Sequence, residues 1–246
     1  SRSAEPQVQE MIAGALMDQQ LPPPSRIALL EVIGRSGIPQ LPEEWLQALG
    51  LSLDHADAET RLQAVRAIGN RNLSEFDDRL LELALSDMEV TSVRNEAFAA
   101  VSQRLTDVPP ALFDSLHKQL IDPDTTIIDR LRIAGALAQA PLSDEQLSLI
   151  AGALEQIGPS AAPALLPAFE RSSSADVGRL LVRKLTPMGA SLSLSASELE
   201  RLLGHYPESV RADAEPLLAT FNEQAAQRAA KLDALSSGAT SGDTPR

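Results

Sequence analysis

Four segments of nine residues align without gaps and return at almost constant spacing: RIALLEVIG from Arg26, RLQAVRAIG from Arg61, RNEAFAAVS from Arg94 and RLRIAGALA from Arg130. Their opening arginines stand 35, 33 and 36 residues apart. A recurring unit of this length is one supersecondary element that cannot bury its apolar face alone and must stack on its neighbours. Within each copy, a small or apolar side chain follows the arginine at +3, an apolar residue or Ala at +4, and an apolar residue at +7. These positions hold Leu29, Leu30 and Ile33; Ala64, Val65 and Ile68; Ala97, Phe98 and Val101; and Ile133, Ala134 and Leu137. Steps of three and four place them on one face of a helix. A weaker fifth copy, GRLLVRKL from Gly178, keeps Val182 and Leu185 but has lost the arginine.

Each copy after the first has an amphipathic partner upstream. These partners span 43–53 (Trp45, Leu46, Leu49, Leu53), 76–85 (Leu80, Leu81, Leu85), 110–121 (Leu112, Phe113, Leu116, Leu120) and 143–157 (Leu147, Ile150, Leu154, Ile157). Helix starts are signalled by Pro42-Glu43-Glu44, by Ser74 before Glu75, by Pro109-Pro110 and by Ser143 before Asp144-Glu145. The unit is therefore helix, turn, helix. The expected fold is all-α, an α-α superhelix of about five helix pairs over 1–190 with a C-terminal helical cap over 191–235. After Ala140 the pattern loosens. Pro159, Pro163 and Pro167 are expected to break 158–171 into short pieces. A short helix over 197–203 and a long one over 207–235 follow, with Val210, Leu217, Leu218, Phe221 and Leu232 as its buried candidates.

Composition agrees with helices. Aromatic residues make up 3% of the chain while Leu and Ala dominate, and strands favour β-branched and aromatic side chains. The net charge of -13 argues against a phosphate-binding surface, hence against nucleic acid as a partner. No apolar run approaches the ~20 residues that span a bilayer. The chain contains no cysteine, which excludes disulfides, thiol catalysis, thiolate metal sites and covalent haem attachment within it. It opens Ser1-Arg2-Ser3 without Met and closes on SSGATSGDTPR, residues 236–246, which reads as a linker towards a missing downstream module.

No catalytic, cofactor-binding or metal constellation emerges. His55, His117 and His205 are far apart and follow no ligand spacing. Asp122-Pro123-Asp124 lacks the further oxygen ligands and glycine of a calcium loop and reads as a helix-capping turn. Ser172, Ser173 and Ser174 have no nearby base.

The repeats resemble HEAT repeats of the armadillo-like class, most closely over Asp54–Gly69, which contains ADAETRLQAVRAIG. The resemblance implies a structural ladder in which a turn aspartate meets the arginine that opens the second helix. Here that ladder would consist of Asp54 or Asp57 with Arg61, Asp87 with Arg94, and Asp124 with Arg130, failing at the fifth copy, and the arginines are expected to bond turn aspartates or carbonyls of their own or adjacent repeats. A second resemblance lies at the C-terminal end, in ELERLLGHYPESVRADAEPLLATF, QAAQRAAKLDAL and SGDTPR. That end is similar to the helical segment before the cytochrome c module of large planctomycete-type membrane-bound dehydrogenase and haem-binding proteins. It implies a scaffold or protein-interaction segment, no catalysis or cofactor of its own, neighbouring domains of the same chain or another protein as partners, haem c in the parent protein, and an extracytoplasmic location. Two alternatives come with the repeat class: a HEAT-like lyase or isomerase acting on a tetrapyrrole, and a free-standing adaptor.

Overall fold

The computed structural model describes residues 6–189, 191–192 and 194–240, with the side chains of residues 224, 225, 228, 229 and 231–240 left outside the description. Every regular element in this range is helical. Thirteen α-helices follow one another, and a single 3-10 turn occupies Ser74–Phe76. The chain divides into two compact units, Ser1–Leu116 and His117–Arg246.

The first unit contains α1 (Pro6–Met17), α2 (Pro23–Arg35), α3 (Glu43–Leu53), α4 (Ala58–Arg71), α5 (Asp77–Leu85) and α6 (Thr91–Val101). Helix α2 packs on α4 and α4 on α6, while α1 lies against α2 and α3, α3 against α4, and α5 against α6. Within each pair the two helices pack together, and the second helix of each pair packs on the second helix of the next. The residues aligned by the repeat face this packing. Leu30, Ile33, Val65, Ile68, Phe98 and Val101 are all buried to 1% exposure or less. Two glycines set the spacing between helices. A Cβ placed on Gly34 would lie 3.0 Å from the Ala67 Cα, and one placed on Gly69 would lie 3.1 Å from the Ala100 Cβ. Each glycine sits eight residues after an opening arginine, and each alanine six residues after the next, so the same small-residue contact recurs one repeat later.

Helix α7 (Pro110–Ile121) carries the division between the units. The second unit continues with α8 (Ile127–Gln139), α9 (Asp144–Ile157), α10 (Ala162–Phe169), α11 (Ala175–Met188), α12 (Ala196–Leu203) and α13 (Glu208–Thr240). Here α8 packs on α10 and α10 on α12, and α9 on α11 and α11 on α13. Ala134 and Leu137 of α8 are fully buried, as are Val210 and Ala214 of α13. Gly178 lets α11 approach closely: a Cβ there would fall 2.6 Å from Tyr206 and 2.8 Å from Val210.

Several expectations are corrected. The helix that packs next to α8 is α10, inside the proline-rich stretch, whereas the segment GRLLVRKL, in α11, packs on its expected upstream partner α9. The prolines are compatible with α10 because Pro163 stands at its second position, where no intrahelical N–H bond is lost. Pro167 forgoes one bond in a helix whose Leu165 and Phe169 are fully buried. Ser74 opens the 3-10 turn, and α5 begins only at Asp77. By contrast Ser143 caps α9 as its position suggests, accepting from the Gln146 N–H while the Gln146 side chain returns to the Ser143 N–H. Helix α13 runs on to Thr240, five residues into the stretch read as a linker. Of its expected core, Val210, Leu217 and Phe221 are buried and Leu218 is half-buried, while the Leu232 side chain lies outside the described residues.

Candidate functional site

The residues that recur once per repeat are the natural place to look for a site. In all four copies the opening arginine reaches back to carbonyls at the end of the preceding helix. Arg26 donates to Leu16 O (2.5 Å) and Asp18 O (2.7 Å) beyond α1. Arg61 donates to His55 O (2.6 Å) and Ala56 O (2.9 Å) beyond α3. Arg94 reaches Ala84 O in α5 at 3.3 Å. Arg130 donates to Asp122 O (2.7 Å) and Thr125 O (3.3 Å) beyond α7. The last carbonyls of a helix have no intrahelical donors and carry the negative end of its dipole, so a guanidinium there satisfies both needs.

The turn aspartates divide their work differently from a simple ladder. Asp57 caps α4, accepting from the Thr60 N–H and hydroxyl at 2.8 Å each, and these hydrogen bonds hold its carboxyl below the usual range. Asp54 pairs with Arg79. Asp87 meets Arg94 at 3.6 Å, but its side chain is 95% exposed, so the pair is loose. Asp122 turns its carboxylate onto the Asp124 N–H at 2.9 Å, closing the turn that presents its own carbonyl to Arg130.

The strongest ion pair uses a residue that the repeat pattern does not mark. Glu89 accepts two parallel bonds of 2.7 Å from Arg61, with both side chains largely buried. The Arg61 guanidinium holds the Glu89 carboxyl below the usual glutamate range. This pair ties the first turn of α4 to the turn before α6.

A second arginine column also escaped the sequence reading. Arg71, the last residue of α4, donates to Ser36 O at 2.6 Å and to Ile38 O beyond α2. Arg104, just past α6, binds the Asp77 carboxylate and the Asn72 side chain beyond α4. Arg171, just past α10, donates to Gln139 O (2.6 Å) and Ala140 O (2.7 Å) at the end of α8. Each arginine bridges one repeat back. The signal was present in the sequence, since Arg71 and Arg104 each follow an opening arginine by ten residues.

Between α4 and α6 lies a polar groove of about 240 Å³ lined by Arg66, Asn70, Asn72, Glu96, Gln103 and Arg104. Its two cations are committed to carboxylates. Arg66 faces Glu96 at 3.5 Å and Glu59 at 3.9 Å, and Arg104 is held by Asp77. An anion entering here would have to displace them. The histidines do not converge: the His55 Nδ1 accepts from the Asp57 N–H at 3.1 Å, and His117 sits on α7. Ser172 donates to Asp144 at 2.7 Å, and the Tyr206 hydroxyl donates to Phe169 O at 2.8 Å. Burial pushes the Tyr206 phenol up to about 12. Among the described residues no three His, Asp or Glu side chains gather as a metal site would require, and no helix is long and apolar enough to cross a membrane.

No protein-family model, curated protein or solved structure matches the chain.

Proposed function

We propose that this chain is a non-catalytic, HEAT-like helical-repeat module, acting as a scaffold or protein-interaction segment of a larger protein. One observation carries the reading: the charged groups that recur with the repeat are spent on helix ends. Arg26, Arg61, Arg94 and Arg130 bind carbonyls in the last turn of the helix before them or in the loop that follows it, and Arg71, Arg104 and Arg171 bind the repeat before them. Catalysis requires a nucleophile, base or metal held free in a cleft. Here the recurring polar groups serve stacking, and stacked helix pairs present extended surfaces suited to other macromolecules.

The tetrapyrrole-lyase alternative and any cofactor role make an opposite demand, namely an apolar pocket with a histidine or methionine ligand. Titration with haem and with a linear tetrapyrrole, followed in the visible spectrum, tests this. The scaffold reading predicts no saturable spectral change. A stoichiometric Soret shift that disappears on changing His117 or His205 would replace it with a cofactor-binding one.

A further inference from the structure

Helix α1 and the start of α3 enclose an open trough of about 520 Å³ that the repeat packing does not fill. It is lined by Ala13, Gly14, Met17 and Pro42, with Glu10 and Glu44 beside them. Both glutamates are exposed. Gly14 lies in mid-helix, where glycine weakens a helix relative to alanine. At Gly34 and Gly69 a neighbouring helix explains the glycine, but around Gly14 there is no atom within 4 Å of where a Cβ would be. Leaving out that side chain keeps the trough open. Exposed Met17 adds flexible apolar surface of the kind that accommodates partner side chains.

We propose that this trough docks an amphipathic helical segment of a partner protein, with apolar side chains entering over Gly14 and lysine or arginine meeting Glu10 and Glu44. The apolar lining calls for the first feature and the exposed carboxylates for the second. The inference rests on the interaction-module reading and assigns it a surface. The chain also carries a reporter beside the trough. Trp45, its single tryptophan, is fully buried, and its indole N–H donates to Gln9 O at 2.9 Å on the trough-lining helix.

The test uses a leucine–lysine amphipathic peptide of about fourteen residues, long enough to form a helix when bound, titrated against the full chain. Fluorescence anisotropy of the labelled peptide and Trp45 emission are followed together. The expected result is saturable one-to-one binding with a coincident change in Trp45 emission, weakened about tenfold or more by Glu10→Lys with Glu44→Lys. Gly14→Gln, a substitution that favours the helix while filling the trough, should weaken it comparably. Reversing two exposed carboxylates elsewhere, Asp114→Lys with Glu215→Lys, should change it by no more than about twofold. Failure to bind, or equal loss in the control pair, overturns the proposal. Binding undiminished by either trough variant overturns the assigned surface while leaving the interaction-module reading in place. Self-association of the chain abolished by Gly14→Gln would make a second copy the occupant and overturn the partner class.

Discussion

Glycine-to-alanine replacement at two helical positions should move stability in opposite directions. At Gly14 nothing lies within 4 Å of the new Cβ, so only the backbone effect remains. Alanine restricts the unfolded chain and favours the helix, a gain of about 0.5–1 kcal/mol. At Gly34 the new Cβ would lie 3.0 Å from the Ala67 Cα and 3.3 Å from its Cβ. The nearest atom is backbone, so relief requires α2 and α4 to separate by a few tenths of an ångström. That shift loosens contacts around Leu30, Ile33, Val65 and Ile68, all fully buried. Overpacking of this kind costs about 1–3 kcal/mol. The intrinsic gain from alanine is small this close to the end of α2, so the net change at Gly34 should be destabilising by about 1–2 kcal/mol. Urea denaturation followed by far-UV circular dichroism measures both variants, with unchanged slopes confirming a common unfolded state. Ala67→Gly in the Gly34→Ala background removes one of the two crowding atoms and should recover part of the loss, as a double-mutant cycle would show. If Gly34→Ala stabilises the chain as much as Gly14→Ala does, the close approach of α2 and α4 is refuted.

Three further outcomes follow from particular contacts. Ile68→Ala, in the α2/α4/α6 core, should lower the unfolding free energy by about 2–5 kcal/mol, measured by the same denaturation. The folded-state pKa of Glu89 lies below its ordinary value of 4.5, so its pair with Arg61 stabilises the chain above that pH and loses its contribution as the pH falls below it; the Glu89→Gln variant should show a shallower acid limb in a stability–pH profile. Tyr206 behaves in the opposite sense. Its pKa is raised to about 12, so the unfolded chain ionises first and stability should fall as the pH rises from 10 towards 12. Tyr206→Phe should flatten that alkaline fall while costing about 0.5–1.5 kcal/mol at neutral pH through the lost bond to Phe169 O.

Where sequence reading succeeded, one periodicity governed both the pattern and the packing. The apolar positions at +4 and +7 from each opening arginine face the neighbouring helices because the same contact repeats, and the capping box at Ser143 is local chemistry written in adjacent residues. It failed at α10, where three prolines outweighed the apolar content of the segment. A proline at the second helical position is harmless, and the tertiary burial of Leu165 and Phe169 holds the remainder. It assigned no element to α1, although Val8, Ile12 and Leu16 are spaced for one helical face. The site was less legible than the fold. The opening arginines are expected to meet turn aspartates or backbone carbonyls, and the carbonyl is the commoner partner, although no side-chain pattern marks which one. Glu89 was missed because it occurs in a single turn, and a pairing that does not recur leaves no periodic trace.

The central claim is that the recurring arginines hold the helices together and do not form part of a ligand site. Equilibrium urea unfolding of Arg61→Ala, Arg94→Ala and Arg130→Ala tests it most directly. Structural arginines leave carbonyls unsatisfied when removed, and Arg61 also leaves the largely buried Glu89 without its partner. All three variants should therefore be less stable. Arg61→Ala should lose the most, about 2–3 kcal/mol, and Arg94→Ala the least, because its contacts are the longest of the three. Residues kept for binding tend instead to be neutral or destabilising in the free protein, so their loss leaves stability unchanged or raises it. Three variants as stable as the parent chain, or more so, would contradict the scaffold account.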